Sequence, residues 1–123
     1  MPQPILTTPG PGPDRRLTPR RDLRLKALWR RPGTEFVEVR TIDISATGIG
    51  LISDVNIPEG ETCSVLIALP VAPGRSVNMQ ITGTVAHSIL NSQTSQFKIG
   101  VSFGLLPPQT AATIKEFVSA GAV

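Results

Sequence analysis

SVNMQITGTVAH, residues 76–87, places Val77, Met79, Ile81, Gly83 and Val85 at every second position, with mostly polar residues between them. A two-residue period is the mark of a strand that turns one face to a core and the other to water. A polar stretch from Asn91 to Ser95 follows, and FKIGVSF (97–103) resumes the period through Phe97, Ile99, Val101 and Phe103. Two alternating runs joined by a short polar loop predict an antiparallel hairpin. A lone hairpin is marginal in water, so the rest of the chain must supply further strands.

Working outward, TCSVLIAL (62–69) lies between a Pro58-Glu59-Gly60 turn and a Pro73-Gly74 turn. GIGLIS (48–53) follows a short Ser45-Ala46-Thr47-Gly48 turn, and EFVEVRTIDI (35–44) precedes it. The inward face of 35–44 is ambiguous between Val37/Val39 and Ile42/Ile44. LRLKALWR (23–30) alternates through Leu23, Leu25 and Ala27, blurs at Leu28-Trp29, and ends at an Arg31-Pro32-Gly33 turn. After Pro107-Pro108 the period changes. Ile114, Phe117 and Val118 sit at i, i+3, i+4, one face of a helix over QTAATIKEFVSA (109–120), with Pro108 at its start and Gly121 past its end. The expected fold is all-β, a six-stranded antiparallel barrel closed by a C-terminal α-helix. Residues 1–13, rich in Pro, Gly and Thr, are expected as a flexible leader or arm, 14–22 as a polar basic loop, and 14–120 as one domain.

The single Cys63 and single His87 exclude an internal disulfide, a cysteine metal cluster and a His-based metal site. Both are read as structural residues. No Ser/His/Asp set or carboxylate pair emerges, so an enzyme is not expected, nor is a cofactor. No run approaches the roughly 20 apolar residues of a membrane span. The start of the chain lacks the basic and apolar regions of a secretory signal, so a cytoplasmic, reducing setting is expected.

The net charge of +3 is unevenly placed. Residues 1–31 hold eight basic residues against Asp14 and Asp22, a local +6, whereas residues 32–123 hold four basic and seven acidic ones, a local −3. The N-terminal charge is nearly all arginine. The planar guanidinium fork grips phosphate bidentately and stacks on bases, so an anionic partner carrying aromatic rings is indicated.

Two motifs stand out: Arg15-Arg16-Leu17-Thr18-Pro19-Arg20, an RxxxR spacing with an extra Arg in front, and Asp43-Ile44-Ser45-Ala46-Thr47-Gly48, a DxSxxG at a strand end. Together, in this order and at this separation, they resemble the PilZ domain family. GTVAH followed by FKIGVSF and the closing helix add to the likeness, which covers roughly residues 15–119. The resemblance implies a receptor for the bacterial second messenger cyclic diguanylate (cyclic di-GMP). It implies Arg15, Arg16, Arg20, Asp43, Ser45 and Gly48 as ligand-binding residues, and an unidentified downstream protein as partner. Arg21, Arg24, Trp29 and Gly100 are secondary candidates.

The chemistry of these residues agrees. Arginines in a loop can reach both phosphates and the O6/N7 edges of guanine. Asp43 can accept from guanine N–H groups or tether an arginine. Ser45 can bond a phosphate or stabilise its own turn. Gly48 can let the backbone approach a ligand or take a positive φ. A second register, Arg20/Arg24, overlaps the first; Arg16/Arg20 is preferred because Arg24 falls within the first strand's alternation. Two other readings remain: a basic barrel binding single-stranded nucleic acid, disfavoured by the shortage of aromatics, and a PilZ-like protein-interaction module without ligand.

Overall fold

Val39 and Ile44 are both buried, at 2% and 0% exposure, although five positions separate them and strict alternation would put them on opposite faces. The computed structural model, which describes residues 18–121, resolves the conflict with a β-bulge between Thr41 and Asp43. The extra residue, Ile42, shifts the phase, so Val39, Thr41 and Ile44 all look inward. This strand, β3 (Val37–Ser45), is the spine of the fold.

The other strands are β1 (Arg20–Asp22), β2 (Lys26–Arg30), β4 (Gly48–Ser53), β5 (Thr62–Ala72), β6 (Arg75–Asn91) and β7 (Gln96–Phe103). All pairings are antiparallel, and the order β3-β2-β5-β6-β7-β4 returns to β3 through a β3–β4 pairing. The sheet is therefore a closed six-stranded barrel, and closure removes the exposed strand edges of the ring. Its interior holds the inward residues of every strand, among them Ile44, Leu51, Val65, Ile81 and Ile99. Each such side chain contributes roughly 1.5–3 kcal/mol by leaving water.

The first expected strand, 23–30, is shorter than its alternation suggests: only Lys26–Arg30 is ladder, and a separate short strand, β1, precedes it. β1 and β2 run along the same edge of β3, and the irregular residues 23–25 separate them. Thr41 fills the break: its hydroxyl accepts the Leu25 N–H at 3.0 Å and donates to the Leu23 carbonyl. Arg20–Asp22, expected as loop, is thus ladder. The alternation at 23–30 does not blur either, because Trp29 continues the buried set of Leu23 and Ala27 while Leu28 faces out.

A helix, α1 (Pro108–Ala120), follows β7 and buries Ile114, Phe117 and Val118 as the spacing predicts, packing against β1 and β3. No helix among the described residues is long and apolar enough to cross a membrane. The expected leader, residues 1–13, lies outside the described residues, as do Arg15 and Arg16.

Candidate functional site

Asp43 stands on the outer face of β3, where the pleat sends its side chain away from the buried Ile44. The pairing of β1 with β3 places Arg20 opposite Ser45 and Asp22 opposite Asp43. Arg20 therefore starts two residues along the same face from Asp43 and reaches it diagonally. Its Nε donates to Asp43 Oδ2 at 3.2 Å and its Nη2 to Oδ1 at 3.0 Å. This is a bidentate fork on one edge of the guanidinium. The side chains remain 43% and 27% exposed, so the pair stabilises the fold by only about 0–1 kcal/mol and stays open to an incoming ligand.

The rest of the DxSxxG motif builds the β3–β4 turn. Ser45 is fully buried, and its hydroxyl oxygen accepts the N–H groups of Thr47 and Gly48, each at 3.2 Å. Of its two candidate roles, the one observed is to hold its own turn. Thr47 lends its carbonyl to the Phe103 N–H at 2.8 Å, tying the turn to β7. Gly48 does not take a positive φ. It is small because a Cβ there would sit 2.6 Å from the Val101 carbonyl oxygen, so the close approach it permits is to β7.

Strand register extends the site sideways. Asp43 pairs with Gly50, Gly50 with Gly100, and Gly100 with His87. Directly paired residues share a face, so the outer wall carries a row Asp43–Gly50–Gly100–His87 whose two middle positions have no side chain. A Cβ at Gly50 would come within 2.8 Å of Asp43 Oδ1, and one at Gly100 would run into the His87 imidazole. The glycines thus form a flat floor, with the carboxylate leaning over one end and the exposed imidazole over the other. Gly50 and His87 were not among the sequence candidates. The signal that finds them is register, through the β-bulge between Val85 and His87 that turns His87 to the outer face.

The secondary candidates separate. Gly100 joins the row. Arg21 points the opposite way from Arg20: its Nη1 donates to the Phe117 carbonyl at 2.8 Å and its guanidinium lies over the Phe117 ring, 4.0 Å from the centroid. Arg24 is exposed in the irregular segment between β1 and β2 and is not held in a ladder, contrary to the expectation from alternation.

Trp29, the last of the secondary candidates, is 6% exposed and faces the core, where no base can stack on it. Its indole N–H meets no nitrogen or oxygen acceptor among the described residues. Burial pushes the neighbouring Cys63 thiol above its ordinary pKa, an effect the Trp29 N–H partly opposes. No group of three or more His, Cys, Asp or Glu side chains suited to a metal occurs among the described residues.

The family model described as PilZ domain matches residues 14–120. No curated protein matches the chain. Among solved structures, the inhibitor of motility of Bacillus subtilis (MotI/DgrA) superposes with a TM-score of 0.74 at 16% identity, covering 84% of this chain and 49% of that one. The K. pneumonia MrkH–c-di-GMP complex gives 0.65 at 16% identity, with 83% and 50% covered. The PlzA protein of Borreliella burgdorferi in complex with c-di-GMP gives 0.54 at 16% identity, with 76% and 32% covered. The chain thus spans half the length of these proteins or less, and identities this low show the shared fold alone.

Proposed function

This chain belongs to the PilZ domain family, and on that premise we propose that it is a receptor for cyclic diguanylate, which it binds on the outer barrel wall around Arg20 and Asp43. The observation that carries the proposal is the bidentate Arg20–Asp43 pair. It brings the last arginine of RxxxR and the first residue of DxSxxG to one patch, although 23 positions separate them. Two of the solved structures that share the fold are complexes with this nucleotide, which supports the same reading.

The chemistry is that of a binding site. The pair with Asp43 uses two of the five N–H donors of Arg20 and leaves three for a phosphate or a guanine O6/N7 edge. Arg15 and Arg16 would add further forks from the N-terminal side. With the exposed His87 ring swung off Gly100, the glycine row would let a flat base lie against the wall and stack on that ring. Charge-assisted hydrogen bonds contribute about 1.5–3 kcal/mol each, and micromolar affinity requires about 8 kcal/mol. Four or five such contacts with stacking meet that requirement after association losses. A ligand held between the N-terminal arginines and the wall would order the N-terminal arm, and a downstream protein would read the ordered surface. No step in this account makes or breaks a covalent bond.

The test is calorimetric titration of cyclic diguanylate into the wild type and the Arg16→Ala/Arg20→Ala variant. The wild type should release or take up heat with a midpoint in the micromolar range and the variant should show none. Absence of a binding isotherm for the wild type at tens of micromolar protein, roughly the range a signalling receptor must reach, defeats the reading.

A further inference from the structure

One row further from the β3–β4 turn, the outer wall changes character. Register aligns Arg40 with Ile52, Ile52 with Lys98, and Lys98 with Ile89, a lateral row in which cation and aliphatic side chains alternate. Arg24 and the bulged Ile42 join Ile52, Phe97 and Lys98, beside three uncharged polar residues, in lining a groove of about 310 Å³ over the middle of this row; Arg40 and Ile89, at its two ends, are not part of the lining. The ion pairs among the described residues use Arg20, Lys26 and Arg31, so Arg24, Arg40 and Lys98 have no acidic partner there. Ile89 is 59% exposed beside them. Three unmatched cations set among the half-buried Ile42 and Ile52 and the exposed Ile89 are not what a solvated face requires.

We propose that this groove is a docking surface for an acidic amphipathic helix of a partner protein, laid along the Arg40–Ile52–Lys98–Ile89 row. Charge selects the occupant first, because three cations call for carboxylates. Spacing selects its form. Neighbouring strands lie about 4.8 Å apart, and one helical turn rises about 5.4 Å. A helix lying across the strands, with Glu, Leu, Glu and Leu at successive turns of one face, therefore keeps within about 2 Å of cation, Ile, cation, Ile over the three steps of the row. An extended peptide repeats on one face about every 6.8 Å and falls out of step within the row. Nucleic acid is disfavoured because the groove offers aliphatic groups and the half-buried Phe97 in place of the exposed aromatic platforms that bases need.

The surface does not depend on the nucleotide reading for its existence. That reading adds one consequence. The docking row lies two residues along β4 and β7 from the glycine row, so a nucleotide on the floor would border the helix and could set how firmly it docks.

The experiment uses the full chain and a fluorescein-labelled synthetic helical peptide carrying Glu, Leu, Glu, Leu at successive turns of one face, with a Lys-for-Glu peptide and a single-stranded oligothymidine as comparisons. Anisotropy should rise saturably for the acidic peptide. The Arg40→Glu/Lys98→Glu variant should bind it at least about tenfold more weakly, equivalent to 1.4 kcal/mol, with its thermal midpoint and its calorimetric nucleotide response unchanged. Arg20→Ala should leave peptide binding intact, which separates failure of this surface from failure of the receptor reading. The proposal is overturned by any of four results: no saturation up to about 1 mM peptide, the weak end of specific binding; equal affinity of wild type and Arg40→Glu/Lys98→Glu; preference for the Lys peptide or the oligothymidine; or self-association of the protein that the same substitutions abolish.

Discussion

Arg20 and Arg21 are neighbours in one short strand, identical in chemistry and opposite in what they do. Arg20 lies on the outer wall, partly exposed, with two of its five N–H donors engaged by Asp43. Arg21 lies beneath, its guanidinium on the Phe117 ring and its Nη1 on the Phe117 carbonyl. That carbonyl belongs to the last turn of α1, where backbone acceptors lack intrahelical partners and a cation is favoured. The helix has no basic residue of its own in that turn, and Arg21 supplies one from β1. The pleat of β1 thus assigns one arginine to a site that can exchange partners and the other to the fold. The difference teaches that an arginine cluster in a sequence is not one device. The two-residue period divides it, and the face on which each member falls decides whether it can serve a ligand.

The comparison breaks most visibly at Arg21. Arg21→Ala removes a part-buried hydrogen bond to a helix end and a cation–π contact, and should destabilise the protein by about 2 kcal/mol. Cyclic diguanylate affinity should stay within about threefold. Arg20→Ala should do the reverse, moving stability by less than about 1 kcal/mol while removing ligand binding. Thermal or urea unfolding beside calorimetry reads both. Loss of ligand binding in folded Arg21→Ala protein would show that the two faces of β1 act as one.

A smaller effect sharpens the outer side. Gly100→Ala puts a methyl group under the His87 imidazole, an exposed ring that can swing aside. Stability should change by less than about 1 kcal/mol, since a movable side chain and not backbone is displaced. Nucleotide affinity should fall about tenfold, 1.4 kcal/mol, because the flat floor is gone. An unchanged affinity would take Gly50 and Gly100 out of the site and leave Arg20 and Asp43 alone.

The parts of this fold that could be read beforehand are those where a period runs unbroken. Val77 to Val85, Phe97 to Phe103 and the Ile114/Phe117/Val118 face behave in the barrel as their spacing predicts. The misreadings fall where a bulge resets the phase. Residues 35–44 offered two candidate faces because the strand uses both, one on each side of Ile42. β1 was unreadable for a different reason: Arg20-Arg21-Asp22 has no apolar alternation, and its inward residue is an arginine covered by Phe117. The meeting of Arg20 with Asp43 was expected from the paired motifs. The Gly50–Gly100 floor and His87 were not, because lateral neighbours across strands depend on register, and register rests on loops and bulges that leave no periodic trace.

The central claim is that the Arg20–Asp43 patch and the glycine row beside it form one ligand-binding surface. Amide shift mapping on addition of cyclic diguanylate tests this directly. The account predicts that the largest changes cluster at Arg20, Asp43, Thr47, Gly50 and Gly100, with Phe117 and Trp29 unmoved. Saturable changes centred elsewhere on the barrel, with Arg20 and Asp43 silent, would contradict it.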